Sequence, residues 1–175
     1  MMDFLMELFE SVRDFMATGG DVLWLVAAAL SVTWILMLER FIFLRTAYPK
    51  IEAELIAQWQ ARPERKSWTA HRVRETLLSQ ARVQLSARML IIAALVAMCP
   101  MLGLLGTVTG MINVFEVMAV HGTGNARMMA SGISMATIPT MSGMVAALSG
   151  VFFSARLNAE IKMANEKLND HLPFD

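Results

Sequence analysis

Cysteine is nearly absent. The 175-residue chain has one, Cys99, which excludes a disulfide framework and any CxxC metal or redox motif. Histidine is scarce, and His71, His121 and His171 lie far apart, with no two at ligand spacing on a helix. Charged residues make up 17% of the chain, below the roughly 25% of a soluble domain. The formal net charge is zero, so the sequence carries no basic footprint for nucleic acid. There is no nucleophile–base pair, metal-ligand cluster or phosphate loop, so nothing supports an enzyme and no cofactor or metal is expected. Intrinsic disorder is excluded by a hydrophobic content of 56%. What survives is a membrane protein, provided the apolar residues run in blocks.

They do. Residues 22–38 carry no charge, and after Glu39 and Arg40 the apolar run resumes at 41–44. Residues 89–115 form a second uncharged stretch between Arg88 and Glu116, and residues 128–155 a third between Arg127 and Arg156. A bilayer core of about 30 Å needs about 20 helical residues, and each stretch meets that. Their continuity argues against β-barrel strands, which alternate polar and apolar residues. The acidic start (Asp3, Glu7, Glu10, Asp14, Asp21) opposes the basic n-region of a signal peptide, so the first stretch reads as a retained span. Before it the only basic residue is Arg13. Nine follow between the first two spans, only Arg127 lies in the next connection, and Arg156, Lys162 and Lys167 follow the third. The positive-inside rule then places the N-terminus outside and the long loop and tail in the cytoplasm.

The fold class expected is all-α and integral to the membrane, with three transmembrane helices, N-out and C-in. The divisions are a periplasmic amphipathic helix (1–20), span one (21–44), a cytoplasmic helical segment (45–88), span two (89–118), a periplasmic turn (119–127), span three (128–155) and a cytoplasmic helical tail (156–175). Phe4, Leu8, Val12, Phe15 and Met16 recur at helical spacing, which suits a helix lying in the outer interface. Gly19 and Gly20 should break it before span one. Residues 67–88 hold no Pro or Gly and are expected to run unbroken into span two. Their arginines (Arg72, Arg74, Arg82, Arg88) read as a solvated face near the inner leaflet. The glycine-rich turn should be tight, with His121 solvated, and Pro173 should end the tail. Cys99 reads as a buried small residue.

Spans two and three hold no ionisable residue, although intramembrane ionisable groups usually mark ion pathways. Glu39 and Glu116 sit at span ends, where snorkelling or capping is the plain reading. The spans are instead rich in small residues and hydroxyls. Gly103, Gly106, Thr107 and Gly110 share one face of span two. Gly132, Ala136, Thr140, Gly143, Ala147 and Gly150 make a similar face on span three. Such faces let helices approach closely. Thr107, Thr109, Asn113, Ser131, Ser134, Thr137, Thr140 and Ser142 add hydroxyls and amides that can order water or pair with a carboxyl. Pro100 and Pro139 each remove a helical hydrogen bond.

The stretch CPMLGLLGTVTG (99–110) resembles the second-span signature of the MotA/TolQ/ExbB proton-channel family, matched at Pro100, Gly103, Leu104, Gly106, Thr107, Val108 and Gly110. Gly132, Ile133, Ala136, Thr140, Gly143, Val145, Ala146 and Ala147 resemble its third-span signature. The three-span layout is similar to the ExbB/TolQ branch, and a compact ExbB-type protein fits best. The resemblance implies a homo-oligomer, pentameric in the family, in the bacterial inner membrane. It would enclose transmembrane helices of an ExbD-like partner that supplies an aspartate. The assembly would spend the proton motive force to energise a TonB-like protein for outer-membrane transport. Thr107 and Thr140 match the family's pore-facing threonines, with Thr137 and Ser134 beside them on the proton pathway. Pro100, Gly103, Gly106, Gly110, Gly132, Gly143 and Ala147 would form the packing and partner-facing surface. Membrane lipid is the remaining expected contact. Two features depart from the family pattern. Met135 stands where ExbB and TolQ commonly carry glutamate, and Pro139 replaces a typical alanine. A TolQ-like subunit for envelope maintenance and a purely structural scaffold are the alternatives.

Overall fold

The computed structural model describes residues 2–64, 67–121 and 126–173, the side chains of 2–5, 8, 121 and 126 excepted. Among them the chain is helical, without strands: α1 Met2–Thr18, α2 Gly20–Thr46, α3 Tyr48–Gln60, α4 Trp68–Ser86, α5 Met89–His121 and α6 Ala126–Asp170. The connection at 122–125, expected as a tight turn, lies outside the described residues, as does the His121 side chain. α2, α5 and α6 are long and apolar enough to cross a membrane. The chain divides into two compact units, Met1–Thr33 with Ala94–Val151, and Trp34–Ala93 with Phe152–Asp175.

In the first unit, α1 ends where the glycine pair was expected to end it. Gly20 adopts φ +67 with open space around it, a left-handed conformation that glycine enters without the Cβ clash of other residues. Of the apolar face read from the sequence, Val12 and Phe15 are exposed and Met16 is half-buried, while the side chains of Phe4 and Leu8 lie outside the described residues; Met6 and Phe9 are exposed as well. Deeper in, Val26 of α2, Cys99 of α5 and Ala146 of α6 form a buried cluster, with Ala29, Leu30, Leu102 and Ala147 against it. Cys99 is therefore the buried small residue expected, its thiol 3.4 Å from the Leu95 carbonyl. The outer surfaces of the same helices expose Trp24, Leu25, Leu104, Leu105, Ile112 and Phe115. Apolar exposure on this scale belongs against lipid or protein, not water.

The second unit has a core of its own, formed by Leu55 and Trp59 of α3, Ala70, Leu77 and Ala81 of α4, and Leu168 and Leu172 near the C-terminus. Several of these are i, i+4 pairs, which stack on one helix face. Trp59 is 1% exposed, and its indole N–H has no hydrogen-bond partner. Beside this core Glu52, nearly buried, lies 3.2 Å from Lys167 Nζ and 3.5 Å from His171 Nδ1. The Tyr48 hydroxyl donates to the Ala164 carbonyl at 3.4 Å. Burial, and then the Glu52 carboxylate, push the Tyr48 phenol up to about 12.

Two expectations fail here. Residues 67–88 do not run unbroken into α5. Ser67 caps α4, its Oγ accepting from Ala70 N at 3.3 Å, but the helix stops at Ser86. Arg88 takes φ +66, and α5 starts afresh with Ile92 N donating to Arg88 O at 3.0 Å. No Gly or Pro marks the break, which is held by tertiary contacts: Arg88 Nη1 lies 2.6 Å from Glu39 Oε2, and buried Arg40 donates through Nη1 to Gln84 O at 3.1 Å. Nor is the arginine face simply solvated. Arg74 donates to Leu172 O at 2.6 Å and, through Nη2, to Asn169 Oδ1 at 2.8 Å and Asn169 O at 3.2 Å, so it supplies donors to the carbonyls at and just past the end of α6.

Candidate functional site

The site is the seam between α5 and α6 in the first unit. Glycine brings the two backbones together, and the pairings run in opposite senses along them. Gly150 meets Val96, Gly143 meets Gly103 and Cys99, Gly110 meets Ala136, and Gly132 meets Val114. The helices are thus antiparallel, with small residues in register over several turns. A Cβ on Gly143 would stand 2.5 Å from the Cys99 carbonyl oxygen, and one on Gly103 would stand 2.9 Å from the Pro139 oxygen. Contact this close is the usual reason for small residues between membrane helices.

Pro139 occupies the middle of the seam. It is among the most deeply buried side chains, and a Cβ on Gly106 would collide with its ring. Its lack of an N–H frees the Met135 carbonyl from the helical ladder. Ala147 borders the Val26–Cys99–Ala146 cluster. Pro100 is half-buried within α5.

The hydroxyls fall into two groups. Thr140 Oγ1 crosses the seam and donates to the Gly103 carbonyl at 2.8 Å, a reach opened by the missing side chain at Gly103. The others donate within their own helices: Thr107 to Leu104 O at 2.7 Å, Thr109 to Leu105 O and Gly106 O, both at 3.1 Å, Thr137 to Ser134 O at 3.0 Å and Ile133 O at 3.3 Å, and Ser142 to Ile138 O at 2.8 Å. Thr107 lies one turn along α5 from Gly103, so the two family-matching threonines are linked through adjacent turns of one helix. Thr137 and Ser134 lie on the exposed side of α6.

In each bonded hydroxyl the proton is committed to a carbonyl, and the oxygen lone pairs remain free. The seam therefore presents acceptors. A neutral carboxyl or a water could donate to them, whereas a carboxylate could not find a donor there. No group of three His, Cys, Asp or Glu side chains that could hold a metal occurs among the described residues. The pairing of Gly106 with Pro139 was not anticipated from the sequence. Both residues were visible in it as a stripe glycine and a helix-interior proline, but the offset between the helices that joins them was not.

The MotA/TolQ/ExbB proton channel family matches residues 43–170, which include the seam and all of the second-unit core but Leu172. Biopolymer transport protein ExbB-like 1 of Synechocystis sp. is 43% identical over 61 residues, which is 33% of this chain and 24% of that protein. The matched stretch thus spans about a quarter of that relative's length. A family match over most of the chain, on a helical fold with three helices able to cross a membrane, carries the assignment: the chain belongs to the MotA/TolQ/ExbB proton channel family.

Proposed function

We propose that the chain is the channel and stator subunit of a proton-driven motor in the bacterial inner membrane. Copies of it, five by analogy with the family, surround the transmembrane helices of an ExbD-like partner. That partner supplies an aspartate, and the assembly energises a TonB-like protein that drives outer-membrane transport. The N-terminus and the 119–127 connection face the periplasm; residues 45–88 and 156–175 face the cytoplasm.

The observation that carries this reading is the acceptor character of Thr107 and Thr140. Their protons are held by backbone carbonyls, and the third span brings no carboxylate of its own. A partner aspartic acid, protonated and neutral, can donate to these oxygens while it crosses the apolar layer. An ionised one pays a large desolvation penalty there, so the site favours passage of the proton with its carrier neutral.

The test is proton flux into liposomes holding the chain with its partner, followed by a trapped pH dye. Wild type should conduct only with the partner present, and Thr107→Val or Thr140→Val should abolish flux while the oligomer stays intact. Normal flux in both variants overturns the pathway assignment. A second reading, a structural scaffold, draws on the same hydrogen bonds, since hydroxyls satisfied inside the chain also serve packing alone. It predicts no partner-dependent flux at all.

A further inference from the structure

Glu116 interrupts the apolar run of α5 near its outer end. By sequence it reads as an interfacial residue that snorkels or caps. It caps nothing, because α5 continues past it to His121, more than a full turn. It is exposed, and among the described residues no ion pair or hydrogen bond engages its carboxylate.

Glu116 does not stand alone. Asn113 and Thr109, three and seven residues before it, are exposed as well, and that spacing places all three on one helix face. This face is not the packing seam. Val96, Gly103, Gly106, Gly110 and Val114 define the side of α5 turned to α6, and the polar face lies roughly 100° around the helix from it. The Thr109 proton is already held by the Leu105 and Gly106 carbonyls, so its oxygen offers lone pairs outward. In a bilayer, polar groups facing hydrocarbon are costly, and a carboxylate more so. A face that runs from a carboxylate through an amide to a hydroxyl belongs against water or protein. It extends about 10 Å along the helix, and Glu116 lies about 13 Å outward of Thr107.

We propose that Glu116 is the proton-collecting group at the outer mouth of the pathway, with Asn113 and Thr109 ordering the water that leads inward from it. The proposal rests on the function and topology proposed above. A Glu116 carboxylate oxygen takes a proton from hydronium in the outer aqueous phase, forming an O–H bond and leaving water. That bond breaks when the proton moves along the ordered water to a deeper carboxylate supplied by the partner chain. Glu116 returns to its ionised form and the partner's group becomes neutral, so charge and protons balance.

The experiment uses the chain reconstituted with its partner in liposomes, with Glu116→Gln and Glu116→Asp beside wild type and Thr140→Val. Glu116→Gln should lower flux about tenfold or more with the oligomer unchanged, and Glu116→Asp should retain most of it. In the wild-type assembly, a hydrophobic carbodiimide, which attacks protonated carboxyls, should label Glu116 more as the outer medium is acidified, as read by mass spectrometry. Wild-type flux in Glu116→Gln, with Thr140→Val inactive, overturns the Glu116 assignment and leaves the channel reading standing. Equal loss in the Gln and Asp variants, or labelling of Glu116 that ignores outer pH, also overturns it. Absence of flux in wild type overturns the channel reading and this assignment with it.

Discussion

Gly110→Ala is the sharpest test of the α5–α6 seam. The added Cβ would stand 2.6 Å from both Cα and Cβ of Ala136 and 3.0 Å from its nitrogen. Carbon atoms pack at about 3.5–4.0 Å, so α6 must retreat by about 1 Å at this level. The atoms in the way are backbone and a Cβ, which no rotamer change can move. Overpacking of this kind costs about 1–3 kcal/mol. Alanine in a helix interior offsets about 0.5–1 kcal/mol of that relative to glycine. Gly132→Ala is the matched control. Its Cβ meets one methyl, Cγ2 of Val114, rather than backbone, and the next atom is 3.5 Å away. The propensity gain is the same in both variants, so their difference isolates the backbone-to-backbone contact at Gly110: Gly110→Ala should be the less stable by about 1–2 kcal/mol. Equilibrium unfolding in mixed micelles with increasing SDS, followed by circular dichroism, measures it. Gly110→Ala as stable as Gly132→Ala would refute the close antiparallel register.

Further outcomes follow from single positions. Gly20→Ala meets no atom but forces a Cβ into φ +67, so it should lower stability by about 1 kcal/mol in the same unfolding assay. Arg88→Gly and Arg88→Ala both lose the Glu39 ion pair, yet only alanine keeps the left-handed strain at φ +66. The glycine variant should therefore be the more stable by about 1 kcal/mol, and the reverse order would contradict the strained break. Tyr48 is the sole tyrosine, so tyrosinate absorbance reports it alone. It should titrate at about 12 in the folded protein against 10.0 for the free phenol, and Glu52→Gln should lower the midpoint. Because the folded value is the higher, its contribution to stability is complete below pH 10 and is lost as pH rises through 12. Tyr48→Phe should remove that alkaline dependence.

The spans were legible because the bilayer leaves one solution to a long uncharged run, a helix with its backbone bonds closed internally. The glycine stripes were legible for a related reason: without a hydrophobic force between helices in lipid, close approach needs small residues, and helical periodicity sorts them onto one face. The second unit was less legible. Arg74 reads as solvated when only its neighbours are considered, because its acceptors, Asn169 and Leu172, are remote in sequence. The break before α5 has no local signal either. Arg88 is held left-handed through contacts made by Glu39 and Arg40 in α2, and no propensity encodes such a contact.

The hydroxyls show how composition can mislead about a pathway. Eight hydroxyl or amide side chains in the second and third spans from Thr107 to Ser142 suggest a lining that both donates and accepts. The structure halves that capacity at Thr107, Thr109, Thr137, Thr140 and Ser142, whose protons all end on backbone carbonyls. What remains at those positions is lone pairs, and lone pairs alone cannot pass a proton along. A proton moving past them must travel on something that donates, either water or a neutral carboxyl. Of the carboxylates in the chain, Glu116 alone lies within α5, and α6 has none before Glu160. A deep carboxyl donor, as the proposed function has it, would then come from another chain, with the exposed polar face that begins at Glu116 as the proposed water route toward it.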